Sequence, residues 1–473
     1  MAEFDKYNDD HMNSKHHRHS EEDVRKFREL LRNGGKDINS PEALEEIVQF
    51  YFEHEKYEEA LYYADRLISF EPFNADAWQR KGMIFNNLFR YEDALVCFDK
   101  AVNLNPTDPE AFINRGITLD NLNRTNESMA SFDKALQLEP FHSDALFHKG
   151  VTLEKLERFS DAESVLRQVL QIDPDYIDAW YELGYCYDYL DKPSQSIKCY
   201  EEHLDRDPYN HQAWYNKGIV QNRVGQFIKA IESYEYALAI REDFPLAWYN
   251  MGNSYANLGH LQDAIKCFKT ALQYDPKDVS TLHNLGNAYE ELNFFDEAIS
   301  AYSSAIEIDH QHHESFFGKG CCYDALGQTQ KALAEYQKAA EINPEYSEYW
   351  YACGDTFYNL GRIEECIECY RKVIALDPKD PEIWFDLGDT LGEQGLFLDA
   401  IATLNECTKL DSKFAPAYFC RGKILISLNR KEEAANEFST AFQLATELRK
   451  DFERLFPSLA NDRLFKRILG KRS

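Results

Sequence analysis

No stretch of this sequence is apolar over anything near the roughly 20 residues that a membrane-spanning helix needs. Its first 20 residues are polar and rich in histidine, and they lack the short apolar core of a secretory signal peptide. From these two absences we expect a cytoplasmic protein without a membrane-inserted segment.

Positive charge is also scarce, because 52 Lys and Arg residues stand against 82 Asp and Glu residues, for a formal net charge of −30. A chain with this imbalance repels the phosphate backbone of nucleic acids, so we expect no nucleic-acid partner. Two interpretations of the acidity stay open. It keeps the protein in solution, or it attracts a basic protein or peptide partner.

Motifs of enzymes and cofactor sites are missing as well. The sequence has no glycine-rich phosphate loop, no nucleophile elbow and no zinc-binding helix motif. Among its 11 cysteines, Cys366 and Cys369 form a Cys-x-x-Cys pair, but no second pair with zinc spacing follows. We therefore predict no enzyme and no cofactor, and we expect this pair to pack in the interior of a protein from a reducing compartment.

The sequence contains instead a repeat of 34 residues. Its clearest copy, Pro245–Asp278, reads PLAWYNMGNSYANLGHLQDAIKCFKTALQYDPKD, with Trp at place 4, Gly at place 8, Ala at places 20 and 27 and Pro at place 32. Glycine occupies place 8 in every repeat from Gly82 to Gly422, and all six tryptophans occupy place 4. A fixed period of this kind predicts a solenoid, in which each repeat contacts mainly its neighbours.

The spacing resembles the tetratricopeptide repeat, a helix–turn–helix unit. The resemblance implies an all-α fold, a right-handed superhelical solenoid of about twelve repeats with capping helices at its ends. It also implies that the first helices line a concave groove that holds peptides. The twelve repeats are residues 41–74, 75–108, 109–142, 143–176, 177–210, 211–244, 245–278, 279–312, 313–346, 347–380, 381–414 and 415–448.

The residues outside the repeats give three further predictions. Residues 1–20 are expected to form a disordered tail, whose histidines either stay solvated or bind a metal ion. Residues 21–40 carry an apolar stripe that predicts an N-terminal capping helix. Residues 449–473 are expected to form a C-terminal solvating helix and a basic tail.

Places 2, 5, 6, 9, 12 and 13 share one face of the first helix of each repeat, away from the second helix. Asparagine at place 6 recurs in three consecutive repeats, and its amide can bond a peptide backbone whatever the peptide sequence. This row, Asn216, Asn250 and Asn284, resembles the asparagine ladder of O-linked N-acetylglucosamine transferases. Tyrosine at place 5 and asparagine at places 6 and 9 are also common in idealised repeats, so a purely structural role stays open.

The same face becomes acidic in the later repeats, with aromatic residues among the carboxylates. This combination favours a segment that carries Lys or Arg, and a solvated acidic face is the alternative. No repeat has lysine at place 5, which argues against the basic clamp that some family members use for carboxyl termini. The candidate binding residues are Tyr181, Tyr215, Asn216, Tyr249, Asn250, Asn253, Asn284, Asn287, Tyr351, Asp355, Phe385 and Asp389.

The sequence thus predicts a protein-interaction scaffold that holds an extended peptide or a partner helix in its groove. The competing hypothesis is a structural or assembly subunit of a larger complex, engaged through its ends and outer surface.

Overall fold

The structure is a computed structural model that describes residues 40–470. The described residues form α-helices, turns and one short 3-10 helix, without any β-strand. The predicted all-α fold is confirmed. The predictions for the tail 1–20 and for the capping helix 21–40 lie outside the described residues, apart from residue 40.

Packing between helices divides the chain into two units, of which the first ends at Val224. Its described residues, 40–224, form five helix pairs followed by one more helix, and each first helix begins 34 residues after the previous one. The helices are α1 (Pro41–Glu53), α2 (Tyr57–Phe70), α3 (Ala75–Asn87), α4 (Tyr91–Leu104), α5 (Pro109–Asn121), α6 (Thr125–Leu138), α7 (Ser143–Lys155), α8 (Phe159–Ile172), α9 (Ile177–Tyr189), α10 (Pro193–Arg206) and α11 (His211–Arg223).

The second unit begins at Gly225 and contains one helix, six helix pairs and a short C-terminal group. Its helices are α12 (Phe227–Ile240), α13 (Pro245–Asn257), α14 (Leu261–Tyr274), α15 (Val279–Glu291), α16 (Phe295–Ile308), α17 (His313–Ala325), α18 (Thr329–Ile342), α19 (Ser347–Asn359), α20 (Ile363–Leu376), α21 (Pro381–Glu393), α22 (Phe397–Leu410), α23 (Ala415–Ser427), α24 (Lys431–Leu444), α25 (Leu448–Leu455), the 3-10 helix Leu459–Asn461 and α26 (Arg463–Ile468).

Tryptophan at place 4 fixes the turn between one repeat and the next. Each of the six indole N–H groups donates to the backbone carbonyl of place 32 in the preceding repeat. The N–O distance is 3.0 Å from Trp78 to Pro72 and 2.9 Å from Trp350 to Pro344. In five of the six cases place 32 is proline, which does not continue the second helix, so the indole closes a turn that the chain makes there anyway; Trp248 donates to Glu242 instead.

Glycine at place 8 is required by the aromatic ring at place 24 of the same repeat. A Cβ atom on Gly252 would lie 2.6 Å from the ring of Phe268, and one on Gly286 would lie 2.5 Å from the ring of Tyr302. Contacts this short force the ring or the helix to move, which makes a side chain at place 8 costly.

The first helices lie on the inner side of the curve within each unit. Successive first helices contact each other, as α5 and α7 do in the first unit and α15 and α17 in the second, whereas successive second helices are farther apart. Because successive first helices lie closer together than successive second helices, the stack curves towards the first helices. We call the exposed side of the first helices, at places 2, 5, 6, 9, 12 and 13, the inner face.

In the turn between the two helices of each repeat, the residue at place 15 has a φ angle in the left-handed region, where glycine is favoured. Later repeats mostly use glycine there, but the first five use residues with side chains. These are Glu55, Phe89, Asn123, Glu157 and Asp191. Phe89, with φ 57°, is the bulkiest of them, and its ring is 60% exposed, so little burial offsets the strain.

Replacing Phe89 with glycine is therefore expected to raise the free energy of unfolding by about 0.5–1 kcal/mol, because the backbone strain exceeds the entropy that glycine costs. Chemical denaturation measures the change. The matched control is Gly259→Ala, where φ is 75° and a Cβ would meet open space, so a loss of similar size is expected from strain alone. A less stable Phe89→Gly variant would mean that the ring contributes more than the strain costs.

Candidate functional site

The place 5 rings of the inner face lie against the place 24 ring of their own repeat. Ring centroids are 5.7 Å apart for Tyr181 and Tyr200 and 6.1 Å apart for Tyr249 and Phe268. Tyr181 is 9% exposed, and Tyr249 is partly buried. Each ring therefore presents mainly its hydroxyl edge to the inner face.

The hydroxyl at place 5 bonds to the residue at place 6 of the next repeat. In the first unit, Asn216 Nδ2 donates to Tyr181 Oη at 2.8 Å. In the second unit, Asn284 Nδ2 donates to Tyr249 Oη at 3.2 Å. These predicted ladder asparagines thus already link neighbouring repeats through hydrogen bonds, and a peptide would share them with the tyrosines.

Further predicted residues join this network in the second unit. Asn284 Nδ2 also donates to Asn253 Oδ1 at 2.9 Å, and the Tyr302 hydroxyl lies 2.6 Å from Asn287 Oδ1 and 2.7 Å from Glu290 Oε2. Tyr302 belongs to a second helix, so its ring crosses the repeat and delivers its hydroxyl to the inner face. Glycine at place 8 makes that crossing possible.

The remaining candidates are spread along the inner face. Tyr215 and Asn250 are partly buried. The Phe385 ring lies 5.4 Å from the ring of Phe414, which precedes the next repeat. Asp389 accepts from Cys420 Sγ at 2.9 Å and lies 3.3 Å from Lys423 Nζ.

Two aspartates in the second unit are held by tyrosine hydroxyls. Tyr370 donates to Asp355 Oδ1 at 2.6 Å, and Tyr351 donates to Asp386 Oδ2 at 2.9 Å. Burial raises the pKa of Asp386 to about 6, and the nearby carboxylates Asp355, Glu382 and Asp389 push it in the same direction. Burial also raises the pKa of Asp355 above its usual value.

Asp386 is not among the candidate residues predicted from the sequence. It occupies place 6, the position of the asparagine row, and its neighbours along the chain give no sign that its carboxyl group is buried. The signal that was available was its shared place with Asn284.

The inner face of α15, α17, α19, α21 and α23 is strongly anionic. Its six places per helix hold ten Asp or Glu residues, and Lys423 is the single Lys or Arg among them. This excess of carboxylates over cations is the strongest electrostatic feature of the predicted groove, and four of the carboxylates, Glu290, Asp355, Asp386 and Asp389, are partly buried.

The first unit contains a different arrangement, an interrupted row of ion pairs. A carboxylate at place 12 pairs with a cation at place 13 of the next repeat, as Asp120 does with Lys155 and Asp188 with Arg223. Glu154 holds place 12 between these two pairs, and the residue opposite it in the next repeat is a tyrosine instead of a cation.

Glu154 is instead hydrogen-bonded to neutral or acidic groups. Cys186 Sγ donates to its Oε1 at 3.0 Å, and its carboxyl group shares a hydrogen bond with that of Glu182. Glu154 is 9% exposed, and burial raises its pKa well above the ordinary value, with Glu182 adding to the effect. Burial raises the pKa of Glu182 to about 7. No sequence pattern predicts this pair, whose members lie 28 positions apart in two different repeats.

The thiols carry no sign of reactivity. Cys366 and Cys369 are buried in one hydrophobic cluster with Tyr370 and Leu404, and burial raises the pKa of each thiol to about 11. The packing role predicted for this pair agrees with that position.

In residues 40–470, no three His, Cys, Asp or Glu side chains lie close enough together to hold a metal ion. None of the described helices combines the length and the apolar character that crossing a bilayer demands.

Comparison with known protein families gives a consistent result. Models described as tetratricopeptide repeat match residues 75–108, 177–210 and 245–278, residues 97–130, and residues 143–176, 279–312 and 381–414. A model described as TPR repeat matches residues 222–259, 322–361 and 354–395. Together these matches span more than half of the chain. No protein with a curated description matches it.

Solved structures similar to the chain include other repeat proteins. YrrB, described as a TPR protein with an unusual peptide-binding site, is 22% identical, with 40% of this chain and 96% of YrrB covered and a TM-score of 0.37. MamA from Desulfovibrio magneticus RS-1 is 26% identical, with coverages of 36% and 95% and a TM-score of 0.34. The APC/C hetero-tetramer Cut9–Hcn1 is 13% identical, with coverages of 94% and 98% and a TM-score of 0.37. At these scores the similarities carry no further argument about this chain.

The helix pairs recur with a 34-residue period, the same indole and glycine contacts recur in them, and family models match most of the repeats. We conclude that this chain is a member of the tetratricopeptide repeat family.

Proposed function

We propose that the protein is an interaction scaffold that holds an extended, Lys- or Arg-bearing segment of a partner protein on the inner face of α15–α21. The observation that carries this proposal is the pair Asp355 and Asp386, two partly buried carboxyl groups that are bonded to tyrosine hydroxyls and form no ion pair with a Lys or Arg of the described residues. A partner's ammonium or guanidinium group would offset their mutual repulsion.

Hydrogen bonds within the protein support a binding role for these carboxylates. Tyr351 and Tyr370 orient one oxygen of each carboxyl group, which leaves the other oxygen for a ligand. Carboxylate acceptors that are already held in place lose little entropy when a ligand arrives. The free cysteines, ten of which are buried, further support a reducing, cytoplasmic setting for this scaffold.

Replacing both aspartates with asparagine, Asp355→Asn and Asp386→Asn, is expected to weaken binding of a labelled Lys/Arg-rich peptide by about ten-fold or more. Asparagine keeps an oxygen that accepts from the tyrosine, so the helices should stay in place. Fluorescence anisotropy against the full-length protein gives the Kd. Because a bound cation favours the ionised form of Asp386, binding by the unsubstituted protein should also weaken as the pH falls below about 6.

The matched control is Glu307→Gln with Glu368→Gln, which removes the same charge from exposed positions on second helices. It should change the Kd by less than about two-fold, since exposed charges are screened by salt. Equal losses in both double variants would show that net charge, and not the inner face, controls binding. An unchanged Kd in the aspartate variant would contradict the proposal directly.

A further inference from the structure

A row of exposed aromatic rings follows one edge of the first unit. Phe73, Phe141 and Tyr209 are 83%, 79% and 79% exposed, more than any other large apolar side chain among residues 40–470. All three occupy place 33, in the turn that leads to the next repeat, in repeats 1, 3 and 5. Single exposed apolar side chains are normal in folded proteins. Here, one position in alternate repeats carries the three most exposed of them.

Two of the three turns that carry these rings, those of Phe73 and Tyr209, are held by hydrogen bonds on both sides. Trp78 Nε1 donates to the carbonyl of Pro72, directly before Phe73, at 3.0 Å. Asn74, directly after the ring, accepts from the N–H of Ala77 at 3.1 Å. The corresponding two bonds recur around the third ring of the row. A ring on a fixed backbone is a pre-organised contact that loses little freedom on binding.

The charge around the rings has one sign. Each turn consists of places 31–34 of one repeat and places 1 and 2 of the next, and the turns that follow the first five repeats contain ten Asp or Glu residues and no Lys or Arg. The segments are 71–76, 105–110, 139–144, 173–178 and 207–212. The second unit differs, because place 33 there has no aromatic residue and is lysine at three positions, Lys277, Lys379 and Lys413.

We propose that this aromatic edge, formed by Phe73, Phe141 and Tyr209 with the carboxylates of their turns, binds a basic segment of a partner protein. Arginine or lysine side chains of that segment stack on the rings, where the surrounding carboxylates attract them. Rings two repeats apart are separated by roughly 20 Å when neighbouring first helices pack at about 10 Å. The row therefore spans roughly 40 Å, the length of about 12 extended residues.

This inference goes beyond the proposed function, since the rings lie on turns between repeats and not on the inner face. The experiment therefore uses full-length protein with Asp355→Asn and Asp386→Asn, in which the other proposed site is neutralised. The probe is a fluorescein-labelled peptide of about 15 arginine, leucine and serine residues. In this background we expect a combined Phe73→Ser, Phe141→Ser and Tyr209→Ser substitution to weaken probe binding by about ten-fold or more.

The matched control removes three exposed apolar side chains from second helices, outside the aromatic edge. These substitutions are Val96→Ser, Ile228→Ser and Leu398→Ser. They should change the Kd by less than about two-fold, because surface apolar residues outside an interface contribute little to binding. Circular dichroism should show unchanged helix content and melting for both sets, as all six side chains are exposed.

Photo-cross-linking shows where the probe binds, in addition to how tightly. Benzoylphenylalanine at position 141 should cross-link to the probe under illumination, whereas the same group at position 398 should not. The proposal is overturned if the background protein does not bind the probe at millimolar concentration, or if the edge and control substitutions have equal effects.

Two other occupants are distinguished in the same samples. If sedimentation velocity shows self-association that only the edge substitutions abolish, the edge binds a second copy of this chain. If the protein floats with phosphatidylglycerol vesicles and only the edge substitutions abolish this flotation, the edge binds a membrane. Either result overturns the assignment to a basic protein segment. Failure of the edge leaves the inner-face proposal intact, since that proposal is decided by the aspartate variant against unsubstituted protein.

Discussion

Replacing Phe438 with alanine should destabilise the C-terminal end of the second unit by about 3–5 kcal/mol. The Phe438 ring is fully buried, and its centroid lies 4.7 Å from that of Phe452 and 5.2 Å from that of Phe419. The rings of Phe442 and Phe465 lie next to it. One side chain therefore holds α23, α24, α25 and α26 together, and alanine would leave a cavity where they meet.

The loss should be local, because each repeat of a solenoid is stabilised mainly by its neighbours. Hydrogen exchange followed by mass spectrometry should show faster exchange in residues 415–470 and unchanged exchange in α13–α16. The control is Phe73→Ala, the same substitution at a ring that is almost fully exposed, which should leave exchange unchanged throughout the chain. Equal exchange in the C-terminal helices of Phe438→Ala and unsubstituted protein would refute the argument.

The second large effect is a dependence of stability on pH that arises from the buried pair Glu154 and Glu182. The folded pKa of Glu182 is about 7 and that of Glu154 is also raised, whereas the ordinary value of a glutamate is 4.5. The folded protein therefore binds more protons than the unfolded chain between these values, so this pair stabilises the fold less as the pH rises from about 4.5 to 7. The contribution is fully present below pH 4.5 and is lost above the folded pKa.

Substituting Glu154→Gln should reduce this dependence. The amide can accept from Cys186 through its oxygen and donate to the Glu182 carboxylate through its nitrogen, so both contacts persist and only Glu182 of the pair still titrates. We expect the variant to be more stable than the unsubstituted protein at pH 8 by about 1–3 kcal/mol, and this advantage should vanish towards pH 4.5.

Urea denaturation at several pH values measures the free energy of unfolding of the variant and of the unsubstituted protein. Groups that titrate identically in both proteins cancel in the difference between the two values. The control is Glu92→Gln, an exposed glutamate of α4, for which the difference should be small and flat. A difference for Glu154→Gln that does not change with pH would show that the pair does not share its protons as the geometry implies.

Much of the fold follows from the sequence because its causes are local. Proline at place 32 stops a helix through its own ring, and glycine at place 8 recurs because an aromatic ring 16 positions later lies over it. Such constraints repeat every 34 residues, so a single chain shows them many times. The period, the helix pairs and the face that each first helix exposes are therefore readable without coordinates.

The candidate site was predictable only in part. Periodicity places Asn216, Asn284, Tyr351 and Asp355 on the exposed side of the first helices, but it does not show what each polar group bonds. The partner of Tyr351 is Asp386, 35 positions later in the next repeat, and the partner of Asn216 is Tyr181 in the previous one. These bonds turn residues predicted for a peptide into residues that also hold the repeats together.

The sequence by itself determined the repeat, the helical architecture and the excess of negative charge, because spacing and composition carry that information. Only the tertiary structure decided which carboxyl groups are buried and which aromatic rings remain in water. Burial depends on how neighbouring repeats pack: Glu154 and Glu182 come together from different repeats, while Phe73 stays exposed on a turn that the adjoining described repeats leave uncovered. Those packing distances set the pKa values and the exposed surfaces on which the proposed functions rest.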